Sequence, residues 1–195
     1  MNRQLSLSQY RNIDLMILMV VQAISQILIY FAATVLYADQ LYVVSPVAAV
    51  VALVMMRWSG WAAINAFLGG IIYTLIAGGN WQHILIYGIG NLLSMAALLM
   101  LKGLGKERVR NDALLTILFA LLTQILMQLG RSAVAALLGY PAGACIGFIT
   151  TDLLSGLFSM VIVWSIRRVE GLFEDQKHYL LRITREHKVE RGEQF

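Results

Sequence analysis

Apolar residues along this chain fall into six long blocks, each followed by a short polar or glycine-containing stretch. The blocks cover residues 13–37, 41–56, 61–77, 81–101, 113–137 and 142–166. Most approach the roughly 20 residues that a helix needs to cross a bilayer, and the second is the shortest, with Pro46 near its start. The pattern predicts an all-α membrane protein with six transmembrane helices.

The chain changes character after residue 166, where charged residues become frequent. Apolar residues recur there at helical spacing, namely Val169, Leu172, Phe173, Leu180 and Ile183. This spacing predicts an amphipathic helix that continues from the last span and either lies on lipid headgroups or docks a partner. We therefore expect a six-helix transmembrane domain over residues 1–166 and a cytoplasmic C-terminal helix or tail over residues 167–195.

Composition supports a membrane location. Apolar residues make up 59% of the chain and charged residues 13%, where about 25% charged is usual for a soluble domain. If both termini are cytoplasmic, every Lys and Arg except Arg131 lies on the cytoplasmic side, as the positive-inside rule requires. A single cysteine excludes a disulfide framework within the chain.

Several kinds of catalytic site lack the residues that they need. Residues 103–106 read Gly-Leu-Gly-Lys, but the earlier glycine and the following hydroxyl residue of a phosphate-binding loop are missing. His83 lies on the opposite side of the membrane from His178 and His187 in this topology, and Asp152 is the one acidic residue well inside a span. We therefore expect no enzymatic activity, no metal and no cofactor.

The remaining chemistry lies in a sparse polar and aromatic set near the outer half of the spans. The candidate substrate-binding residues are Asp39, Asn80, Trp81, His83, Tyr87, Gln128, Arg131, Tyr140 and Asp152. Arg131 and Asp152 matter most, because a charge inside a span must be paired or line a cavity.

Each of these side chains also has a simpler interpretation. Arg131 would reach headgroup phosphates, Asp152 would make one interhelical hydrogen bond, and Trp81 and Tyr87 would belong to the interfacial aromatic belt. As site residues, the rings of Trp81, Tyr87 and Tyr140 would stack on a heterocycle, and Arg131 would pair with a ligand carboxylate or phosphate.

Small residues line faces of the second and third blocks at four-residue intervals. They are Ala48, Ala52, Ala62, Ala66 and Gly70. In lipid, such faces let two helix backbones approach closely. They serve either packing within the chain or docking of another membrane protein.

The whole-chain layout resembles the substrate-binding S component of energy-coupling factor (ECF) transporters. The resemblance rests on the six spans, the short Pro-containing second span, and the Arg-Trp-Ser-Gly turn at residues 57–60 leading to Gly69 and Gly70. It rests most specifically on residues 151–155, Thr-Asp-Leu-Leu-Ser, and on the closing stretch at residues 167–180.

This resemblance implies a multi-pass protein of the bacterial plasma membrane that binds a vitamin or related micronutrient in an outward-facing pocket. It also implies an ECF coupling membrane protein and two ATPase subunits as partners, and no nucleic acid. Members often carry an Ala-x-x-x-Ala docking motif in the first span. Here Ile27 stands at the position of the second alanine, four residues after Ala23. Docking would then use the small residues of the second and third spans.

Other functions are compatible with the same residues. A structural or scaffolding protein of the cell envelope would use the basic tail as its interaction surface. A membrane sensor would need an effector domain larger than the 29 residues after residue 166. For the proposed pocket, riboflavin, thiamine, a cobalamin, a nucleobase and an amino acid all stay open as ligands.

Overall fold

Helices account for nearly all of the regular structure in this computed structural model, which describes residues 6–36, 44–150 and 152–190. The α-helices are α1 (Leu7–Phe31), α2 (Val47–Trp58), α3 (Ala62–Ile76), α4 (Trp81–Asn91), α5 (Leu98–Leu104), α6 (Lys106–Asn111), α7 (Ala113–Leu137), α8 (Ala142–Thr150), α9 (Leu153–Ile166) and α10 (Gln176–Glu190). A π-helix, Ala32–Leu36, extends α1, and a 3-10 segment, Leu92–Ala97, joins α4 to α5. The predicted all-helical class is confirmed for the described residues.

Within the described residues, five helical segments are long and apolar enough to cross a membrane. They are Leu7–Val35, Val47–Ile76, Trp81–Leu104, Ala113–Leu137 and Ala142–Ile166. The second and third apolar blocks thus form one candidate span by length, although the chain reverses direction inside it.

The reversal lies at the 3-10 turn Ser59–Trp61, between α2 and α3. Ser59 has a φ of 53°, which breaks the helical path. A Cβ placed on Gly69 in α3 would lie 3.3 Å from the Cγ1 of Val47 at the start of α2. Along one straight helix these residues would be about 33 Å apart. Helices α2 and α3 therefore form a hairpin.

Helix α2 lies at the centre of the molecule. Every residue of α2 except Val50 is buried, and the helix packs against α1, α3, α7 and α9. The small residues proposed for docking lie inside this packing: Ala48, Ala52, Ala62 and Ala66 are each at most 1% exposed, and Gly70 is buried. Their face is thus occupied by the chain itself, as in the internal-packing interpretation.

The C-terminal segment folds back against one end of the bundle, which we call the basic end. Arg57 of α2 binds this segment: its Nη1 donates to the carbonyl oxygens of Gly171 (2.6 Å) and Leu172 (2.9 Å). Phe173 is fully buried beside these carbonyls in the apolar core. Two ion pairs, Lys106–Asp175 and Arg110–Glu174, fix the same segment to α6.

The predicted continuation of the last span into the tail is wrong. Helix α9 ends at Ile166, and α10 begins only at Gln176. Gly171 between them has a φ of 72°, and its carbonyl accepts from Arg57 instead of from a helical N–H. The predicted tail helix itself is present over Gln176–Glu190, so Val169, Leu172 and Phe173 belong to the turn before it.

Candidate functional site

A buried ion pair joins Arg131 of α7 to Asp152 at the break between α8 and α9. The Nη1 of Arg131 lies 2.6 Å from the Oδ2 of Asp152, with side-chain exposures of 5% and 16%. Arg131 is in the last two turns of α7, so the pair lies toward the end of the bundle opposite the basic end. A buried pair of this kind costs desolvation energy, so its presence within a span marks a functional candidate.

Two glycines bring the next partner to Arg131. A Cβ on Gly130 would overlap the carbonyl oxygen of Gly90, and one on Gly90 would lie 2.7 Å from the Cα of Arg131. The backbones of α4 and α7 therefore touch where each helix carries glycine. As a result, the residue after Gly90 faces the residue after Gly130: the Nε of Arg131 donates to the Oδ1 of Asn91 at 2.7 Å.

Both carboxylate oxygens of Asp152 have partners within the chain. Oδ2 accepts from Arg131 and, at 3.3 Å, from the Nε2 of Gln124, while Oδ1 accepts from the Oγ of Ser155 at 2.7 Å. The Ser155 Oγ in turn accepts from the backbone N–H of Ser45 at 2.9 Å. We call Asn91, Gln124, Arg131, Asp152 and Ser155 the arginine cluster.

Aromatic rings cover one side of the arginine cluster. The guanidinium carbon of Arg131 is 4.7 Å from the ring centre of Tyr87, a distance at which a cation and an aromatic face attract. Tyr73 and Phe148 flank this ring, with centroids 5.0 and 5.9 Å away. Arg131 thus has a carboxylate, an amide oxygen and an aromatic face around it.

A second polar group lies at the end of α4 that is farther from the basic end. Asn80 caps α4, and its Oδ1 accepts from the backbone N–H of His83 at 3.1 Å. The hydroxyl of Tyr140 donates to the Oε1 of Gln82 at 3.2 Å, and its ring meets the His83 ring edge-on. Tyr87 and Tyr140 both pack on the small apolar cluster around Ile86, which connects this group to the arginine cluster.

The polar contacts continue away from Arg131 through α3 to α1. The Nδ2 of Asn91 donates to the carbonyl of Ala66 at 3.1 Å, and Gln22 and Gln26 of α1 donate to carbonyls of α3. Some buried amide atoms have no hydrogen-bond partner among the described residues: Gln22 Oε1, Gln26 Oε1, Asn65 Nδ2 and Oδ1, and Gln128 Nε2. Buried amide groups of this kind are available to a further partner.

Gln128 is the predicted site residue among these unpartnered amides. It is 2% exposed and lies one turn from both Gln124 and Arg131 on the same face of α7. Its Nε2 therefore faces the bundle interior without an acceptor in the described part of the chain. An N–H donor in this position can bind a carbonyl or ring nitrogen of a ligand at little cost to the fold.

The predicted site residues thus separate into three groups. Arg131 contacts both Tyr87 and Asp152, and Gln128 adjoins Arg131 on α7. Asn80, His83 and Tyr140 form the group at the end of α4, while Trp81 is 64% exposed, as an interfacial aromatic residue would be. Asp39 lies outside the described residues.

The site residues predicted from sequence did not include Asn91, Gln124 and Ser155 of the arginine cluster, or Tyr73 and Phe148 beside the Tyr87 ring. A lone amide inside an apolar span, directly after a Gly-x-Gly pair, was the available signal for Asn91.

No group of three His, Cys, Asp or Glu side chains arranged to hold a metal occurs among the described residues. Comparison of the chain with family models, with curated proteins and with solved structures found no match.

Proposed function

We propose that this chain is the membrane-embedded substrate-binding subunit of an ECF-type transporter that takes up a vitamin or related micronutrient. In this proposal the chain has six membrane helices in the bacterial plasma membrane, counting α2 and α3 separately although each is shorter than the hydrocarbon layer is thick, and both termini are cytoplasmic. A coupling membrane protein and two ATPases would supply energy, and the chain would have no enzymatic activity of its own. The choice of this family rests on the sequence resemblance given above.

The observation that carries the proposal is the Arg131–Asp152 pair beneath the Tyr87 ring. In the predicted topology every Lys and Arg except Arg131 lies on one side of the membrane. By the positive-inside rule, that side is the cytoplasmic one. The arginine cluster would then lie in the half of the bundle nearer the exterior. A few polar groups among apolar and aromatic walls are the usual composition of a small-molecule site.

The geometry refines the role expected for Arg131. Asp152 already neutralises the guanidinium, so a ligand carboxylate would have to displace it. A neutral or zwitterionic heterocycle would instead use the unpartnered Nε2 of Gln128 and the rings near Tyr87. We therefore expect uncharged ring systems to bind better than their phosphorylated forms.

Gln128→Leu tests ligand binding separately from folding, because Gln128 Nε2 bonds no described residue. We expect the variant to be as stable as the wild type and to bind ligand at least about tenfold more weakly, as the loss of one buried hydrogen bond allows. Native mass spectrometry of the detergent-purified full chain would detect a small molecule carried from the cell. Titration with riboflavin, thiamine, cobalamin, nucleobases and amino acids would follow.

Gln124→Leu is the matched control, since it removes a bond to Asp152 and should lower stability. Wild-type chain that carries no small molecule and binds none of these compounds would contradict the proposal. It would favour the alternative, a structural membrane protein of the cell envelope. The observation that favours this structural role is that both carboxylate oxygens of Asp152 already accept hydrogen bonds within the chain.

A further inference from the structure

A cavity lies at the basic end, between the end of α6 and the residues that follow α9. Its volume is about 390 Å³, and it is lined by Arg110, Asn111, Arg167 and Arg168. Three of these four side chains are guanidinium groups, and no carboxylate is among them. This composition suits an anion.

Reciprocal hydrogen bonds hold two of the arginines in place. The Nε of Arg110 donates to the backbone carbonyl of Arg167 at 3.3 Å, and the Nη1 of Arg167 donates to the backbone carbonyl of Asn111 at 3.2 Å. Arg110 also pairs with Glu174, and Arg167 is only 6% exposed. The cavity is therefore a built feature and not a chance meeting of mobile surface side chains.

The local charge is positive. Glu174 offsets one of the three guanidinium charges through its contact with Arg110. The two remaining positive charges belong to Arg167, whose Nη1 binds a neutral carbonyl, and to Arg168, which is exposed. Guanidinium groups bind phosphate oxygens through paired N–H donors, so a phosphate group matches this cavity in both charge and geometry.

The position of the cavity indicates where the phosphate comes from. Helix α9 exposes Leu157, Val161 and Trp164 at helical spacing, on the surface that would face lipid. Arg168 follows Trp164 by four residues, so the apolar stripe runs toward the cavity. A tryptophan at this level is typical of the boundary between acyl chains and headgroups.

We propose that this cavity binds the phosphate headgroup of an anionic phospholipid whose acyl chains lie along the exposed stripe of α9. Basic pockets between membrane helices on the cytoplasmic side are suited to anionic headgroups. The site is separate from the arginine cluster and does not depend on the transport proposal. Bound lipid would join the end of α9 to the α6–α7 connection.

The test uses the full-length chain, delipidated in detergent and titrated with phosphatidylglycerol or phosphatidylcholine, with bound lipid counted by native mass spectrometry. We expect wild type to bind phosphatidylglycerol preferentially. Arg168→Gln should weaken that binding about fivefold, the effect of one surface charge on an anionic lipid. Arg168→Lys should recover part of it, because the charge remains while the paired donors are lost.

Arg108→Gln is the matched control, because Arg108 is exposed at the same end but does not line the cavity. It should bind phosphatidylglycerol as wild type does. Equal binding of the two lipids by wild type, or equal losses in Arg108→Gln and Arg168→Gln, would overturn the proposal. Displacement of phosphatidylglycerol by millimolar inorganic phosphate would overturn it too, by identifying a site for free anions.

Discussion

Two buried arginines, Arg57 and Arg131, pair with aspartates at opposite ends of the bundle, but their surroundings differ. Arg57 donates to both carboxylate oxygens of Asp14, at 2.8 and 2.7 Å, and to two backbone carbonyls of the C-terminal segment. Within the described residues, Arg131 makes two hydrogen bonds, one to Asp152 and one to Asn91. The first guanidinium makes twice as many bonds as the second.

This difference separates a structural ion pair from a candidate binding group. Arg57 links α1, α2 and the segment before α10, so a change of partner there would remove one of the contacts that hold the C-terminal segment. Arg131 shares Asp152 with Gln124 and Ser155, has an aromatic face beside it and lies one turn from an unpartnered amide. In the proposed function, its neighbours would exchange partners when a ligand binds.

The largest effect is expected from Asp152→Ala. It leaves the Arg131 charge buried without its carboxylate, and such a loss typically costs about 3–5 kcal/mol of unfolding free energy. Reversible chemical unfolding in detergent would measure it. The double variant Arg131→Met with Asp152→Leu should regain most of that stability, since it removes both charges. A single variant as stable as wild type would show that the pair contributes nothing to folding.

Arg57→Gln should cost less, about 1.5–3 kcal/mol of unfolding free energy, the range for hydrogen bonds to a charged group. Asp14 keeps a hydrogen bond from the Nε1 of Trp58 and is 14% exposed, so it is not left isolated. The loss of stability should also be confined to the C-terminal segment that Arg57 contacts. Hydrogen exchange should rise at Gly171 and Leu172 and stay unchanged around Arg131, and an increase spread evenly over the bundle would contradict a clamp on the C-terminal segment.

Gly130→Ala probes how the Arg131 site is positioned. The added methyl group overlaps the Gly90 carbonyl, so α4 and α7 must separate, at a typical cost of about 1–3 kcal/mol. Gly143→Ala is the matched control, because nothing lies within 4 Å of its new Cβ. Thermal unfolding of both variants, together with ligand binding, would measure the effect. Equal behaviour of the two would contradict the close contact.

The smallest effect concerns pH and the C-terminal segment. Burial raises the pKa of Asp175, but the hydrogen bond and charge of Lys106, with the N–H of His178, outweigh it and hold this pKa below its ordinary 3.8. The carboxylate therefore stabilises the fold fully above pH 3.8, and this contribution disappears as the pH falls through the lowered pKa. As the pH falls through the Asp175 pKa, hydrogen exchange at the start of α10 should become faster. Lys106→Gln should make this exchange rate depend less on pH.

The sequence predicts the helical class and the positions of the apolar blocks because apolar length is a direct consequence of the bilayer. It also identifies Arg131 and Asp152, since charge inside a span always needs a partner. The partner itself depends on backbone contact: Asn91 meets Arg131 only because Gly90 and Gly130 touch. That contact joins residues 40 positions apart and has no local signature.

The basic end was harder to predict for a related reason. Spacing alone makes Val169, Leu172 and Phe173 look like one face of a continuous helix. Arg57, 114 residues before Gly171, binds the carbonyl of that glycine, and the chain turns there instead. Local periodicity does not reveal that a side chain from a distant helix will bind a backbone carbonyl in place of a helical N–H. Similarly, the alanines of α2 and α3 have the spacing of a docking face, yet they lie within the bundle.

The turn between α2 and α3 bears on how the protein is inserted during synthesis. Helix α2 has 12 residues, about 18 Å of helix, which is well short of the roughly 30 Å of hydrocarbon in a bilayer. It is also enclosed by other helices and has almost no surface of its own for lipid. We therefore expect Val47–Ile76 to enter the membrane as a paired unit, and truncation before α3 to leave α2 outside the bilayer.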